Sequence, residues 1–170
     1  MAPPDPVRGE HVLERVATVP RSLEETFAFF ADAENLERIT PPELRFRIVT
    51  PRPVRLRAGA LIDYRLRLFG VPFGWRTEIA RWEPPAEGWA AFVDRQLRGP
   101  YRLWHHTHTF RAVTPGQTGA VGDATRMTDR VRWALPAWPL GEAARPVVRA
   151  QLKRIFDYRA ERIGELLGRA

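Results

Sequence analysis

Two neighbouring segments hold the side chains of this sequence that are best suited to chemistry. Residues 92–96 read Phe-Val-Asp-Arg-Gln, and residues 104–110 read Trp-His-His-Thr-His-Thr-Phe. If both segments are β-strands, alternate side chains point to one face. That face then carries aromatic rings together with imidazole, carboxylate and amide groups: Phe92, Asp94, Gln96, Trp104, His106, His108 and Phe110. Such a mixture is typical of a cavity wall with a few polar groups placed in it.

These polar groups can cluster with a further carboxylate, that of Asp129. A Gly-Pro turn joins the two segments, and we expect Gln96 to lie near His106 on the adjacent strand. Asp129 is expected near His108 for the same reason. An imidazole beside a carboxylate transfers protons near neutral pH, so His106, His108 and Asp129 are the candidate catalytic residues. Two interpretations stay open: groups that orient a ligand in a cavity, or a buried network whose members satisfy one another.

Aromatic and apolar side chains on the other predicted elements complete the wall of such a cavity. Phe27 and Phe30, on a predicted helix, belong to this wall. The predicted ligand-binding residues are Tyr64, Trp75, Phe92, Asp94, Gln96, Trp104, His106, His108, Phe110, Met127, Asp129 and Trp133. The entrance is expected at residues 68–74 and 135–140, because both segments are irregular and carry apolar residues.

A metal site is an alternative use of the same residues. His106 and His108 are two residues apart on one strand, and Asp94 or Asp129 can add an oxygen ligand. This spacing is far less specific than a motif such as H-E-x-x-H, so we predict neither a metal nor a cofactor. A nucleophilic triad has no support, because Ser22 is the sole serine and the chain has no cysteine.

Composition limits the class of protein. The chain has 170 residues, enough for one domain with a substantial core, and its lack of cysteine fits a reducing cytoplasm. The net charge is +7, but the basic residues, all arginine except Lys153, are spread along the whole chain. We therefore predict no nucleic-acid partner, and only weak contact with anionic membranes. No segment predicts a secretory leader or a membrane span, and we expect a monomer or homodimer.

The predicted elements alternate in a simple order. Residues 1–9 are expected to be a disordered tail, and residues 10–170 a single domain. A strand over 11–19 precedes a helix that begins at a capping box, Ser22 and Glu25, and a shorter helix that ends at Pro41-Pro42. Six strands with short links then predict an antiparallel meander: 44–50, 60–69, 73–82, 89–97, 101–113 and 124–133. Pro84-Pro85 is expected in a turn, and a long helix with Pro146 in its first turn ends the chain.

This order resembles the START-like, or SRPBCC, superfamily. The local motifs are similar to those of a bacterial ligand-binding subgroup: Asn35-Leu36, Ile39-Thr40-Pro41-Pro42, Gly59, Ile62-Asp63-Tyr64, Gly70, Trp75, Phe92-Val93-Asp94, Gln96, Gly99-Pro100-Tyr101, Trp104-x-His106-x-His108-x-Phe110, Asp129 and Val131. The resemblance implies an α+β helix-grip fold, in which a curved antiparallel sheet of about seven strands wraps a long C-terminal helix over a cavity. Members of the superfamily include lipid carriers, hormone receptors, polyketide aromatases and cyclases, and co-chaperones.

Three functions follow as hypotheses. The first is a carrier or sensor that binds a hydrophobic or amphipathic small molecule, such as a lipid, a polyketide-like or an isoprenoid-like compound, between the sheet and the last helix. The second is an enzyme of the cyclase, dehydratase or isomerase type that uses His106 or His108 with Asp129 as an acid–base pair. The third is a protein-interaction module whose pocket is collapsed. One fold can host all three, so the site must decide among them.

Overall fold

The computed structural model describes residues 5–113 and 123–168 of the chain. It contains seven strands: β1 (Glu10–Val19), β2 (Arg47–Ile48), β3 (Leu61–Leu68), β4 (Val71–Ala86), β5 (Trp89–Arg98), β6 (Leu103–Val113) and β7 (Ala124–Ala134). The helices are α1 (Leu23–Ala31), α2 (Glu34–Arg38) and α3 (Arg145–Leu167), and short 3-10 helices cover Pro42–Leu44 and Leu140–Ala144.

The strands form one antiparallel sheet in the order β1-β7-β6-β5-β4-β3-β2. The first strand pairs with the last, and the strands between them form the predicted meander. The sheet curves around α3, with the two short helices following β1. The predicted helix-grip fold is therefore confirmed.

The start of α1 follows from its local sequence. The backbone N–H of Glu25 donates to the Ser22 hydroxyl, and the Glu25 carboxylate accepts from the Ser22 N–H, both at 3.2 Å. This capping box satisfies two N–H groups that the helix leaves open. Leu23, Phe27 and Phe30 then lie on the buried side of α1, as their spacing predicts.

The edge strand β2 is shorter than predicted. Residues 44–50 were expected to form one strand, but Pro42–Leu44 forms a 3-10 turn and only Arg47–Ile48 pairs with β3. Arg45 between them has a φ of 44°, in the left-handed region, which breaks the extended backbone. The consequence is a bent segment that carries Phe46 toward the interior.

β4 is longer than predicted, and the expected turn at Pro84-Pro85 is wrong. The strand continues to Ala86, and the turn comes at Glu87 and Gly88, whose φ values are 50° and 75°. The pairing of β4 with β5 shifts between Glu83 and Ala86. The two prolines lie in this irregularity, where the ladder does not need their missing N–H groups.

Three apolar clusters make up the core. One joins α1 to the sheet and includes Phe27, Phe92, Phe110 and Met127. A second joins α3 to β7 through Leu152, Phe156 and Trp133, and a third groups Leu66, Leu68 and Trp75 on β3 and β4. The buried residues of α3 are Leu152, Phe156 and Ile163, at the spacing of one helix face.

The ends of the domain stay a prediction. Residues 1–4 of the predicted tail lie outside the described residues, and residues 5–9 precede β1 without forming a helix or strand. None of the helices in the described part of the chain has the length and hydropathy of a membrane span.

Candidate functional site

A cavity of about 160 Å³ lies between the inner face of the sheet, the α1–α2 segment and α3. Residues of all three core clusters contribute to its wall. Most of the wall is apolar, from Phe30 on α1, Leu66 on β3, Trp75 on β4 and Ile155 on α3. The described wall also holds five ionisable groups besides tyrosine: Asp32, Asp94, the two histidines of β6 and Arg159.

The strand register brings four of the predicted polar residues together. Asp94 on β5 lies opposite His106 on β6, and His108 lies opposite Asp129 on β7. The pairing of His108 with Asp129 agrees with the sequence prediction. The expected pairing of Gln96 with His106 is wrong by two residues, since Asp94 occupies that place.

The two imidazoles lie between the two carboxylates. His106 Nε2 is hydrogen-bonded to Asp129 Oδ1 at 3.1 Å, and its Nδ1 is 3.3 Å from Asp94 Oδ2. His108 Nε2 is hydrogen-bonded to Asp94 Oδ2 at 3.0 Å. His108 Nδ1 is 2.7 Å from Asp129 Oδ1 but outside hydrogen-bonding direction, and it has no hydrogen-bond partner among the described residues. Each carboxylate therefore contacts both histidines, and we call these four residues the His/Asp cluster.

The rings of the His/Asp cluster are stacked. The centroids of His106 and His108 are 3.7 Å apart, and His108 stacks on Phe92 at 4.1 Å. Phe156 of α3 meets His106 edge-on at 5.5 Å. This packing holds the imidazoles in fixed orientations, as proton transfer to a bound molecule requires.

Burial and charge together set the protonation of the cluster. Burial alone would lower the pKa of His106, but the carboxylates of Asp94 and Asp129 outweigh burial, so its pKa is raised. Burial alone would raise the pKa of both carboxyls. The imidazoles outweigh burial there too, and they hold the pKa of Asp94 and of Asp129 well below the usual range. The two carboxylates therefore favour the protonated form of His106 relative to a free imidazole.

The cluster has an inner and an outer side. The Asp129 side chain is 2% exposed and does not line the cavity. His106, His108 and Asp94 do line it, and Asp94 is the most exposed of the four at 16%. The imidazoles and Asp94 are therefore accessible from the cavity, while Asp129 contacts the imidazoles from the side away from it.

A second polar group lines the cavity beside the cluster. The Tyr64 hydroxyl is hydrogen-bonded to Thr77 Oγ1 at 2.8 Å, and the indole N–H of Trp75 donates to the same oxygen at 3.1 Å. Burial raises the pKa of Tyr64, and the nearby Asp94 carboxylate raises it further. Tyr64 thus stays a neutral phenol. Thr77 was not predicted, although it is two residues from Trp75 and shares its face.

Besides Asp129, four of the predicted binding residues do not line the cavity. Gln96 closes the β5–β6 turn, where its amide donates to the Tyr101 carbonyl at 2.6 Å and accepts from the Tyr101 N–H at 3.3 Å. Phe110, Met127 and Trp133 face inward but are covered by other core side chains, as is Phe27 of the expected wall. Alternation along a strand fixes the face, but it does not say which inward residues meet empty space.

The two segments of the predicted entrance contribute little to the cavity wall. No residue of 135–140 lines the cavity, and of 68–74 only Leu68 does. Leu135 is instead buried against α3. In the described lining, Asp32, between α1 and α2, is the exposed residue, and several others are half-buried. We call the part of the wall formed by Asp32 with the half-buried Asn35, Phe46, Leu56 and Arg159 the opening.

The helix contribution to the cavity was predicted only in part. Leu36 and Ile39, after α1, and Ile155 and Arg159, on α3, line the cavity without having been named as site residues. The signal for Arg159 was present, since positions 152, 155, 156 and 159 follow the spacing of one helix face.

One group in the described chain has the geometry for a metal ion. Ligand atoms of Asp94, His106 and His108 lie within 4.8 Å of one another. The carboxylates already serve as partners for the imidazole nitrogens, so the arrangement is explained by hydrogen bonds and ion pairs without an ion.

Comparison with protein families gives a match over most of the chain. The family described as polyketide cyclase/dehydrase and lipid transport matches residues 19–156. The chain belongs to this family. The family accounts for the SRPBCC resemblance of the sequence. No curated protein matches the chain.

Solved structures share the fold of this family member at low sequence identity. The Zhui aromatase/cyclase from Streptomyces sp. R1128 is 17% identical, with a TM-score of 0.66 and 94% of each chain covered. A START superfamily protein from Mycobacterium smegmatis is 14% identical, with a TM-score of 0.58 and coverage of 92% of this chain and 99% of that one. The major latex-like protein 151 from Panax ginseng is 10% identical, with a TM-score of 0.56 and coverage of 94% and 98%.

Proposed function

We propose that this protein is a carrier or sensor that holds an apolar or amphipathic small molecule in the cavity. The single observation that carries the proposal is an aromatic cavity with the His/Asp cluster on one wall. An apolar pocket with few, converging polar groups is the usual make-up of a small-molecule site. The apolar body lies against Trp75, Phe30 and Ile155, and a polar group of the ligand meets the imidazoles or the Tyr64 hydroxyl.

The volume of the cavity limits the size of the ligand. Its volume of about 160 Å³ is close to that of an engineered apolar cavity, roughly 150 Å³, that binds benzene. Pockets for drug-sized ligands hold roughly 300–1,000 Å³. The cavity as it stands therefore fits a molecule of one or two rings or a short acyl chain. A larger lipid or polyketide-like compound requires α3 to move away from the sheet.

Native mass spectrometry of the freshly purified protein is the direct test. An added mass that disappears on denaturation identifies an occupied cavity, and its fragmentation identifies the class of ligand. Titration with 2-naphthylmethanol, a two-ring probe, tests binding to any empty fraction. Absence of both the adduct and probe binding contradicts the proposal.

A cavity-filling variant locates the bound molecule. Ile155→Trp places a larger side chain in the cavity from α3, and we expect it to weaken probe binding at least about 10-fold. Val147→Trp is the matched control, because Val147 is on the same helix, is 57% exposed and does not line the cavity. Equal affinities of the two variants would place the probe elsewhere and contradict the proposal.

The second candidate function is an acid–base enzyme of the cyclase or dehydratase type. The observation that favours it is the pair of adjacent imidazoles on the cavity wall, each bonded to a carboxylate. In a dehydration, a base takes a proton from carbon and an acid protonates the hydroxyl, which leaves as water while a C=C bond forms. Protonated His106 supplies the acid, and Asp94 or His108 accepts the carbon-bound proton.

A β-hydroxy ketone of one ring, 4-hydroxy-4-phenylbutan-2-one, tests this chemistry through the absorbance of its enone product. A rate that depends on pH and falls in His106→Gln but not in His11→Gln, the same change at a residue that does not line the cavity, supports the enzyme. An unchanged rate in His106→Gln contradicts it. The third hypothesis is an interaction module with a collapsed pocket. The cavity of about 160 Å³ argues against it.

Four predictions from the sequence stay predictions: a single domain over residues 10–170, the cytoplasmic location, the monomeric or homodimeric state, and the weak contact with anionic membranes. Size-exclusion chromatography with light scattering tests the oligomeric state, and co-sedimentation with anionic phosphatidylglycerol vesicles tests the membrane contact. Neither result changes the proposal for the cavity.

A further inference from the structure

Arg159 is a cationic side chain in the wall of an otherwise apolar region. It lies on α3, about one turn after Ile155 and Phe156, and it lines the cavity at the opening. Its guanidinium carbon is 5.5 Å from the centroid of the Phe156 ring, so the ring supports the cation from one side. The rest of the guanidinium is free to meet a molecule in the cavity.

No carboxylate neutralises Arg159 within residues 5–113 and 123–168. Other basic side chains of α3 do have acidic partners: Lys153 pairs with Asp157, Arg154 with Glu43, and Arg162 with Glu165. Asp32 lines the same opening but forms no ion pair with Arg159, and its Oδ1 accepts the backbone N–H of Glu34 at 2.9 Å. Among the described residues Arg159 therefore has no acidic partner, and its guanidinium can bind an anionic group of a ligand.

Arg159 also lies close to the buried polar groups. It lines the same cavity as Tyr64 and Asp94. The charge of Asp94 raises the pKa of the Tyr64 phenol, and the charge of Arg159 lowers it. An anionic group of a ligand is attracted by Arg159 and repelled by Asp94.

We infer that Arg159 binds the carboxylate of an apolar carboxylic acid whose hydrocarbon part fills the cavity. A guanidinium donates two parallel N–H bonds to a carboxylate, which fixes the direction of the ligand as well as its charge. The inference rests on the proposed function and adds to it the class of ligand and its orientation, with the acid group outward.

Matched ligands test the inference. Calorimetric titration compares 2-naphthoate with 2-naphthylmethanol, and decanoate with 1-decanol, because each pair differs only in the charged end. We expect each acid to bind about 10-fold more tightly than its alcohol, the gain typical of hydrogen bonds to a charged group. The preference should shrink as salt rises from 0.05 to 0.5 M, since part of the guanidinium is in contact with solvent.

Two variants assign the preference to Arg159. Arg159→Gln should remove the preference for the acid and leave the affinity for the alcohol within about 2-fold. Arg149→Gln is the matched control, because it removes the same charge from an exposed position of the same helix that does not line the cavity. We expect it to keep the full preference. Far-ultraviolet circular dichroism confirms that both variants fold.

The outcomes separate this inference from the proposed function. Equal binding of acid and alcohol by the unmodified protein overturns the inference and leaves the cavity proposal standing. A preference that survives in Arg159→Gln but disappears in His106→Gln also overturns it, because the anion is then held by the His/Asp cluster. If neither member of either pair binds, the cavity proposal fails, and the inference fails with it.

Discussion

Two halves of the same sheet face inward with similar aromatic side chains, yet one half is filled and the other encloses a cavity. On the filled half, Phe27 of α1 contacts Phe92 and Phe110 at centroid distances of 6.3 and 5.7 Å. On the other half, Tyr64 and Trp75 of β3 and β4 face α3 across open space. The comparison shows that side-chain type does not decide whether a sheet face is core or cavity wall. The element that covers the face decides it.

The covering elements differ in fit. α1 is anchored by its capping box at the end of β1 and places Phe27 and Phe30 directly on the sheet. α3 touches the sheet through Leu152, Phe156 and Ile163 and spans the part between. The cavity lies beside the stretch of α3 from Leu152 to Arg159, and the His/Asp cluster meets that stretch at Phe156.

The filled half should carry the larger share of stability. Phe110 is 0% exposed, and Phe110→Ala leaves a hole among close-packed rings. We expect a loss of about 4 kcal/mol in the free energy of unfolding, measured by urea denaturation. Binding of 2-naphthylmethanol by the folded fraction should stay within about 2-fold. A strong loss of affinity would mean that the two halves are not independent.

The second-largest loss of stability is expected at Asp129, the carboxylate on the side of the imidazoles away from the cavity. Asp129→Ala leaves the buried, protonated His106 with one carboxylate fewer, and breaking a buried pair in this way costs about 3 kcal/mol. The same urea measurement checks it. Asp63→Ala is the control, because the ion pair of Asp63 with Arg76 is largely exposed and should contribute little. Equal losses in both variants would show that burial of the cluster does not matter.

The cavity half should tolerate truncation better. Leu66 is 7% exposed and lines the cavity, so it already lacks neighbours on one side. Leu66→Ala should therefore cost about 2 kcal/mol, at the low end for a buried leucine. It should also enlarge the cavity and raise the affinity for the longer decanol relative to 2-naphthylmethanol. A loss as large as that of Phe110→Ala would remove the distinction between the halves.

The smallest expected effect is the dependence of stability on pH. The pKa of His106 is raised in the folded protein, so its contribution is complete below pH 6.5 and is lost as pH rises through the raised value. The pKa values of Asp94 and Asp129 are lowered, so their contribution is complete above about pH 3.8 and is lost on further acidification. Stability from the cluster should thus be greatest between these limits. Urea denaturation from pH 4 to 9 should show a decline above pH 6.5 that flattens in His106→Gln. An equally steep decline in that variant would assign the effect to another group.

The prediction of the polar cluster from the sequence was good because strand alternation is a strict rule. It placed His106 and His108 on one face and brought Asp129 opposite His108. It failed for Gln96, because the register between β5 and β6 depends on the length and conformation of the turn from Arg98 to Arg102. A change in that turn moves every residue pair along the two strands.

The walls were predicted less well for a different reason. Phe110, Met127 and Trp133 have the right face and the right chemistry, yet α1 or α3 covers them. Arg159 was not predicted, because a charged residue of an amphipathic helix is usually assigned to the solvent-exposed face. Only the position of α3 over the sheet brings its guanidinium to the cavity.

The resemblance to the SRPBCC superfamily implied the helix-grip architecture. By itself the sequence determined the elements, the antiparallel meander and the chemical types on the inward face. These follow from local rules, namely periodicity, caps and turn residues, that act over a few positions. The tertiary structure decided the register of β5 on β6, the end of β4 beyond its prolines, and which inward residues line the cavity. These depend on packing between segments distant in the chain, where the fit of one helix against a curved sheet leaves some faces covered and one open.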